Sequence, residues 1–144
     1  MVHLLDVNLL IALTWPNHAH HAAAHTWFAA HQVEGWATCP LTQCGFVRVS
    51  MNPKIRPAAV STREVIDALR ELLAHPNHVF WLDDVPFSDG TLVPHDMVIG
   101  HQQVTDAYLI GLAVRYGGRL ATFDRALPTL LPVSQQDVVV VVPA

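Results

Sequence analysis

Leu4-Leu5-Asp6-Val7-Asn8-Leu9-Leu10 is the stretch that decides the fold. Val2 to Leu5 is an apolar run that stops at a carboxylate, and a second apolar run begins at once. A buried strand ending at Asp6, with a helix from Val7 to about Thr14, puts that carboxylate at the carboxyl end of a sheet. In open α/β folds that end is where ligands bind. Asp is also a favoured helix N-cap, so taken alone Asp6 reads equally well as a cap. Two further acids, Asp106 and Asp124, sit in similar contexts far along the chain.

A chain of 144 residues suits a single domain, 1–144, with a sizeable core. Apolar residues make up 51% and charged residues 14%, a surplus that points to buried parallel strands, a partner-covered face, or both. The net charge of −4 gives no overall basic footprint for nucleic acid. Cys39 and Cys44 match neither a zinc pattern nor a CxxC redox motif, so reduced thiols in a cytoplasmic protein are expected. No apolar stretch is long enough to span a membrane. The N-terminus lacks a basic region and Asp6 interrupts its apolar run, which argues against a signal peptide.

Strands and helices alternate along the chain. Trp15-Pro16-Asn17 breaks the first helix, and an Ala-rich helix is expected from His18 to about His31. A short strand follows the Gly35 turn at Trp36–Cys39, then a helix from Leu41 to about Met51 with Pro40 in its first turn. Pro57 to Ser61 is a connection. Ser61 and Glu64 form a capping box for a helix with a Val65, Leu69, Leu72 and Leu73 stripe. Val79–Leu82 reads as a strand, Asp83 to about Gly100 as irregular, and Gln102–Tyr116 as a helix closed by Gly117-Gly118. Arg119–Phe123 is a strand, Arg125–Leu131 a short helix and Val138–Val142 a last strand. This alternation predicts a mainly parallel sheet covered by helices on both faces.

Chain geometry links the acids. From Asp106 to Tyr116 a helix runs about 15 Å. The Gly pair reverses the chain, and Arg119–Phe123 returns about 13–16 Å as a strand. Asp124 then lands near the level of Asp106, and Asp6 shares that rim if the strands are parallel. Three close carboxylates repel, so either some stay protonated or a cation sits among them. An all-oxygen site suits Mg²⁺ or Mn²⁺, and the chemistry implied is metal-assisted hydrolysis of a phosphodiester. Against this stands the plainer reading of three separate caps or surface acids, since Asp106 and Asp124 also precede helical residues.

Four blocks then stand out: Leu4-Leu5-Asp6-Val7-Asn8, Pro40-Leu41-Thr42-Gln43-Cys44-Gly45-Phe46-Val47-Arg48-Val49, Gly100-His101-Gln102-Gln103-Val104-Thr105-Asp106-Ala107-Tyr108-Leu109 and Ala121-Thr122-Phe123-Asp124-Arg125. In order and spacing they resemble the PIN-domain family, and more narrowly the VapC-type toxins of bacterial type II toxin–antitoxin pairs. The resemblance implies a three-layer PIN-like fold and a Mg²⁺- or Mn²⁺-dependent ribonuclease leaving a 5′-phosphate. It also implies inhibition by a cognate VapB-type antitoxin, a homodimer and a toxin–antitoxin hetero-oligomer. Asp6 and Asp106 would hold the ion, and Asp124 would support it or orient the water. The family's usual second acid, a Glu on the helix after the second strand, is Gln43 here. Its amide oxygen still suits a metal or water, with one negative charge fewer. A non-catalytic PIN-like binding module is therefore the alternative reading. A receiver or small-molecule phosphotransfer domain is disfavoured, because no phosphate-binding Gly loop is present and Lys54 is the only lysine.

Other side chains fall around these. Thr122 lies two residues before Asp124, on the same side of the strand, and suits holding Asp124 or a water beside the ion. Arg48 and Arg125 read either as phosphate contacts or as structural ion pairs with the acids. Asn8 and His101 complete the groups near substrate, with a helix-entry role as the plainer reading of His101. His18, His21 and His25 read as one polar, exposed helical face. Trp15, Trp27, Phe28 and Trp36 read mostly as core.

Overall fold

The computed structural model describes residues 1–55 and 60–144. Residues 57–59 of the expected Pro57–Ser61 connection lie outside them. Five strands form one sheet: β1 (His3–Leu5), β2 (Trp36–Thr38), β3 (His78–Phe80), β4 (Arg119–Thr122) and β5 (Val139–Val141). Their order is β3-β2-β1-β4-β5, and every neighbouring pair is parallel. The chain steps outward from β1 to β2 and β3, then resumes on the other side of β1 at β4. The topological switch point, where a parallel sheet opens a crevice at its carboxyl edge, therefore lies between β1 and β4.

The central strands β1, β2 and β4 are buried on both faces, which explains their apolar sequences, whereas Val79 and Phe80 of the edge strand β3 are exposed. Leu4, Ala37, Leu120 and Val139 face one core, and Leu5, Trp36, Ala121 and Val142 face the other. The second core is closed by α1 (Val7–Thr14), α2 (His21–His31), α3 (Pro40–Ser50) and α4 (Thr62–Leu73), through Leu9, Leu10, Phe28, Phe46, Val65 and Leu69. The first is closed by α5 (Val104–Arg115) through Leu109, Ile110 and Leu112, with Trp81, Val93 and Leu130 from irregular segments. The result is a three-layer α/β arrangement.

Local signals set most boundaries. Ser61 Oγ accepts the Glu64 N–H, capping α4. Gly117 takes φ +65°, and the Gly118 N–H reaches the Ala113 carbonyl at 2.8 Å, a Schellman ending for α5. Other boundaries moved. α2 begins only at His21, so His18 lies in the preceding turn and shares no helical face with His21 and His25. β3 starts one residue early and ends at Phe80, because the buried Trp81 leaves the strand to stack on Tyr116. The segment expected as a short helix after Asp124 is a 3-10 turn at Leu127–Leu130, and a second 3-10 segment, Val133–Val138, occupies the residues before β5. Among the described residues, no helix is long and apolar enough to cross a membrane.

Candidate active site: an acidic rim at the switch point

Asp6 follows the last residue of β1. Its Oδ1 accepts the Leu9 N–H at 3.0 Å, so it does cap α1. Its other oxygen, Oδ2, accepts the hydroxyl of Thr122, the last residue of β4. Parallel pairing of β1 with β4 continues into Asp6, whose N–H reaches the Ala121 carbonyl at 3.1 Å. Both roles read from the sequence therefore coexist: the carboxylate caps a helix and stands at the switch point.

Asp6 is 7% exposed. Burial pushes its carboxyl up to about 6, against the pull of the Thr122 and Leu9 hydrogen bonds, and the charges of Asp106 and Asp124 push it further. Asp106, half-buried in the first turn of α5, is also raised, first by burial and then by Asp124. Asp124 is exposed just past β4, where its backbone N–H donates to Thr122 Oγ1 at 3.0 Å and its Oδ1 accepts the Ala126 N–H at 2.8 Å. The Thr122 hydroxyl thus ties the two acids, donating to the Asp6 carboxylate and accepting the Asp124 backbone N–H. The sequence pointed to Thr122 from its alternation with Asp124, but not to the cross-strand bond with Asp6.

Gln43 lies in the first turn of α3, half-buried. Its Nε2 donates to Thr38 Oγ1 at 3.0 Å, and Thr38 Oγ1 lies 2.8 Å from His78 Nε2. The sequence does not single out Thr38 and His78; the one signal it carries is a second threonine ending a strand, as Thr122 does. Asn8, Arg48, His101 and Arg125 are exposed. Among the described residues Arg48 and Arg125 make no ion pair. The rings of His21 and His25 bind the Ala12 and Leu13 carbonyls at 2.7 and 2.8 Å, closing the last turn of α1. Trp27, Phe28 and Trp36 are core, whereas Trp15 is half-buried with its Nε1 donating to Ser50 Oγ. Cys39 and Cys44 are both free, and burial pushes the Cys39 thiol up to about 11.

Among the described residues, no three His, Cys, Asp or Glu side chains are gathered tightly enough to enclose a metal ion. A hard cation that keeps several waters needs only one or two carboxylates. Asp6, raised chiefly by burial and further by Asp106 and Asp124, offers such an ion an all-oxygen setting, and among the described residues no basic side chain pairs with these acids. The donor set fits Mg²⁺ or Mn²⁺.

An all-parallel five-stranded sheet with acids at its switch point defines the chain as a PIN-like α/β domain. A comparison with family models finds no match. Comparison with curated proteins does find relatives. The chain is 50% identical over 127 residues to Ribonuclease VapC39 of Mycobacterium tuberculosis, covering 88% of this chain and 91% of that protein. It is 50% identical to Ribonuclease VapC38 of the same organism, over 88% of each. With Ribonuclease VapC29 it shares 40% identity over 143 residues, 99% of this chain and 98% of the relative. The chain belongs to the VapC-type PIN-domain family.

Proposed function

We propose that this chain is a Mg²⁺- or Mn²⁺-dependent endoribonuclease, the toxin of a type II toxin–antitoxin pair, inhibited by a cognate VapB-type antitoxin. The observation that carries the reading is the buried Asp6 carboxylate at the sheet's switch point, held by the Thr122 hydroxyl and the Leu9 N–H with Asp106 and Asp124 near enough for their charges to act on it. The relatives are named ribonucleases, which supports the same reaction class. A divalent cation bound there would supply Lewis acidity, activating water and neutralising charge on the phosphate.

The chain's own residues have separable tasks. Asp6 and Asp106 would hold the ion, Asp6 in an orientation fixed by the Thr122 hydroxyl and the Leu9 N–H. Asp124, more exposed and fixed by the Ala126 N–H, would orient the attacking water on the solvent side. Arg48 and Arg125, exposed and free of carboxylate partners among the described residues, suit contacts to RNA phosphates. Exposed Phe80, Leu82, Phe87, Met97 and Ile99 offer apolar surface for an antitoxin or a second copy of the chain.

RNA cleavage by the purified chain tests the reading. Cleavage should need added Mn²⁺ or Mg²⁺, stop with chelator, and be lost in Asp106→Asn. Expression alone should arrest growth, and Asp6→Ala should relieve the arrest. RNA binding without cleavage, and no toxicity, would leave a PIN-like binding module instead.

A further inference from the structure

We propose that the surface running from Phe123 across His20 and His18 to Lys54 is a track for single-stranded RNA, its rings stacking bases and its lysine meeting a phosphate. The inference rests on the reading of this chain as a protein that acts on RNA, and it adds where the nucleotides beside the cut bond lie.

Phe123 sits between Thr122, which holds Asp6, and Asp124, so the track begins one residue from the acidic rim. Its half-buried ring leaves the chain on the other side from those two side chains and packs on the core beneath α1 and α2. The track therefore leads away from the acids and suits flanking nucleotides, not the phosphate that is cut. His20, the residue before α2, sets its exposed ring 5.0 Å from that of Phe123, tilted by 34°. The His18 ring follows 5.7 Å further on, and its Nδ1 accepts the His20 N–H at 3.0 Å, which holds the two residues together. On the same segment the rings of His21 and His25 are committed to the Ala12 and Leu13 carbonyls. Among the described residues the His20 ring makes no such bond, and its exposure leaves it open to a base.

His18 also lines a recess of about 190 Å³, with Ile11, Trp15, Asn17, Lys54 and Ile55. Lys54 is the only lysine of the chain, is exposed, and has no carboxylate partner among the described residues. Its turn is fixed from both sides: the Lys54 N–H donates to Asn52 Oδ1 at 3.0 Å, and Asn17 Nδ2 donates to the Ile55 carbonyl at 3.3 Å. No acid lines this recess, whereas four larger ones each include Glu71, Asp96 or Asp137. In a chain of net charge −4, an acid-free recess with a lysine on its wall suits an anion. Planar rings in a row with a cation at the end match what a single strand presents, bases on one side and phosphates on the other. The apolar face of a protein partner would have no use for the lysine or the imidazoles.

The test is binding of a fluorescein-labelled oligo(A) of about 12 nucleotides to the metal-free full-length chain at about pH 8, where an ordinary histidine is neutral. Wild type should bind. His20→Ala should weaken binding by about tenfold, within the range that one lost base stack costs, and leave the salt dependence unchanged. His20→Phe keeps a planar ring and should bind as wild type. Lys54→Ala should make the slope of log affinity against log salt shallower by about 0.7, the share of one phosphate on a single strand, and Lys54→Arg should restore it. Both side chains are exposed, so neither change disturbs the core. The proposal is overturned if wild type does not bind, or if either alanine variant matches wild type in its own readout; unchanged binding in both would leave these rings to a protein partner. Cleavage with Mn²⁺ separates the two levels. If wild type cleaves RNA and Asp106→Asn does not, while the His20 and Lys54 variants bind as wild type, the ribonuclease stands and the track falls. If the variants show the expected losses but wild type cleaves nothing, the track stands on an RNA-binding module and the ribonuclease falls.

Discussion

Asp6 combines two demands that oppose each other. Its carboxylate caps α1, where the helix dipole favours a negative charge, yet it is buried beside two other acids. Its pKa of about 6, against an ordinary 3.8, makes the metal-free fold carry the cost of ionising it at neutral pH. Asp6→Asn retains a capping oxygen and removes the charge. We expect it to raise the metal-free stability at pH 7 by on the order of 1–2 kcal/mol, while abolishing cleavage. Calorimetry in chelator, beside an RNA cleavage assay, checks both; an unchanged or lower melting midpoint would contradict the electrostatic account. Gln43 gives the complementary case. A full carboxylate there would interact with the ion by roughly 3–4 kcal/mol at an effective dielectric of about 20, much of it offset by repulsion from the other acids and by desolvation. Gln43→Glu is therefore expected to tighten Mn²⁺ binding by about tenfold, or about 1.4 kcal/mol, without changing the RNA bond cut. A Mn²⁺ titration of cleavage reads this directly.

Between elements, the acids are brought together by secondary-structure arithmetic, and that much was legible in the sequence. The length of α5, its glycine ending and the length of β4 bring Asp106 and Asp124 back to one level. What was not legible is which strands are neighbours. The Thr122–Asp6 bond depends on β4 lying beside β1, and the Gln43–Thr38–His78 chain depends on β3 lying beside β2. Neither adjacency follows from local pattern. The histidines add an inter-element contact that local pattern does not show: the rings of His21 and His25 reach carbonyls on α1, nine and twelve residues back, while His25 stays exposed as expected. Two substitutions probe these inter-element contacts. Gly45→Ala drives a methyl into Val7, and overpacking of this kind costs about 1–3 kcal/mol. His21→Ala leaves the Ala12 carbonyl without its ring partner and is expected to cost about 0.5–1.5 kcal/mol. Denaturant melts measure both, and a Gly45→Ala protein of wild-type stability would show that α3 is not tightly seated on α1.

Across the whole molecule, the pH response is set by groups at opposite ends of the sheet that act with opposite signs. His3, buried at the start of β1 with no hydrogen-bond partner on Nδ1, is lowered from 6.5 chiefly by burial, and His78 is lowered by burial as well. For these the unfolded chain takes up the proton first, so stability is present above about pH 6.5 and is lost as pH falls below it. Asp6 does the reverse. Its folded value of about 6 lies above the unfolded 3.8, so its contribution is full below pH 3.8 and is lost as pH rises through 6. Between pH 7 and 5 the metal-free wild type should therefore change stability only weakly, the gain at Asp6 offsetting the loss at the histidines. Asp6→Asn removes its own share of the gain, that of the raised Asp106 remaining, and leaves the loss. Its stability should fall more steeply over that interval than the wild type's, although it starts higher at pH 7, so the two curves converge toward acid. Urea melts in chelator at half-unit pH steps test this. Parallel curves would show that Asp6 is not the group compensating the buried histidines.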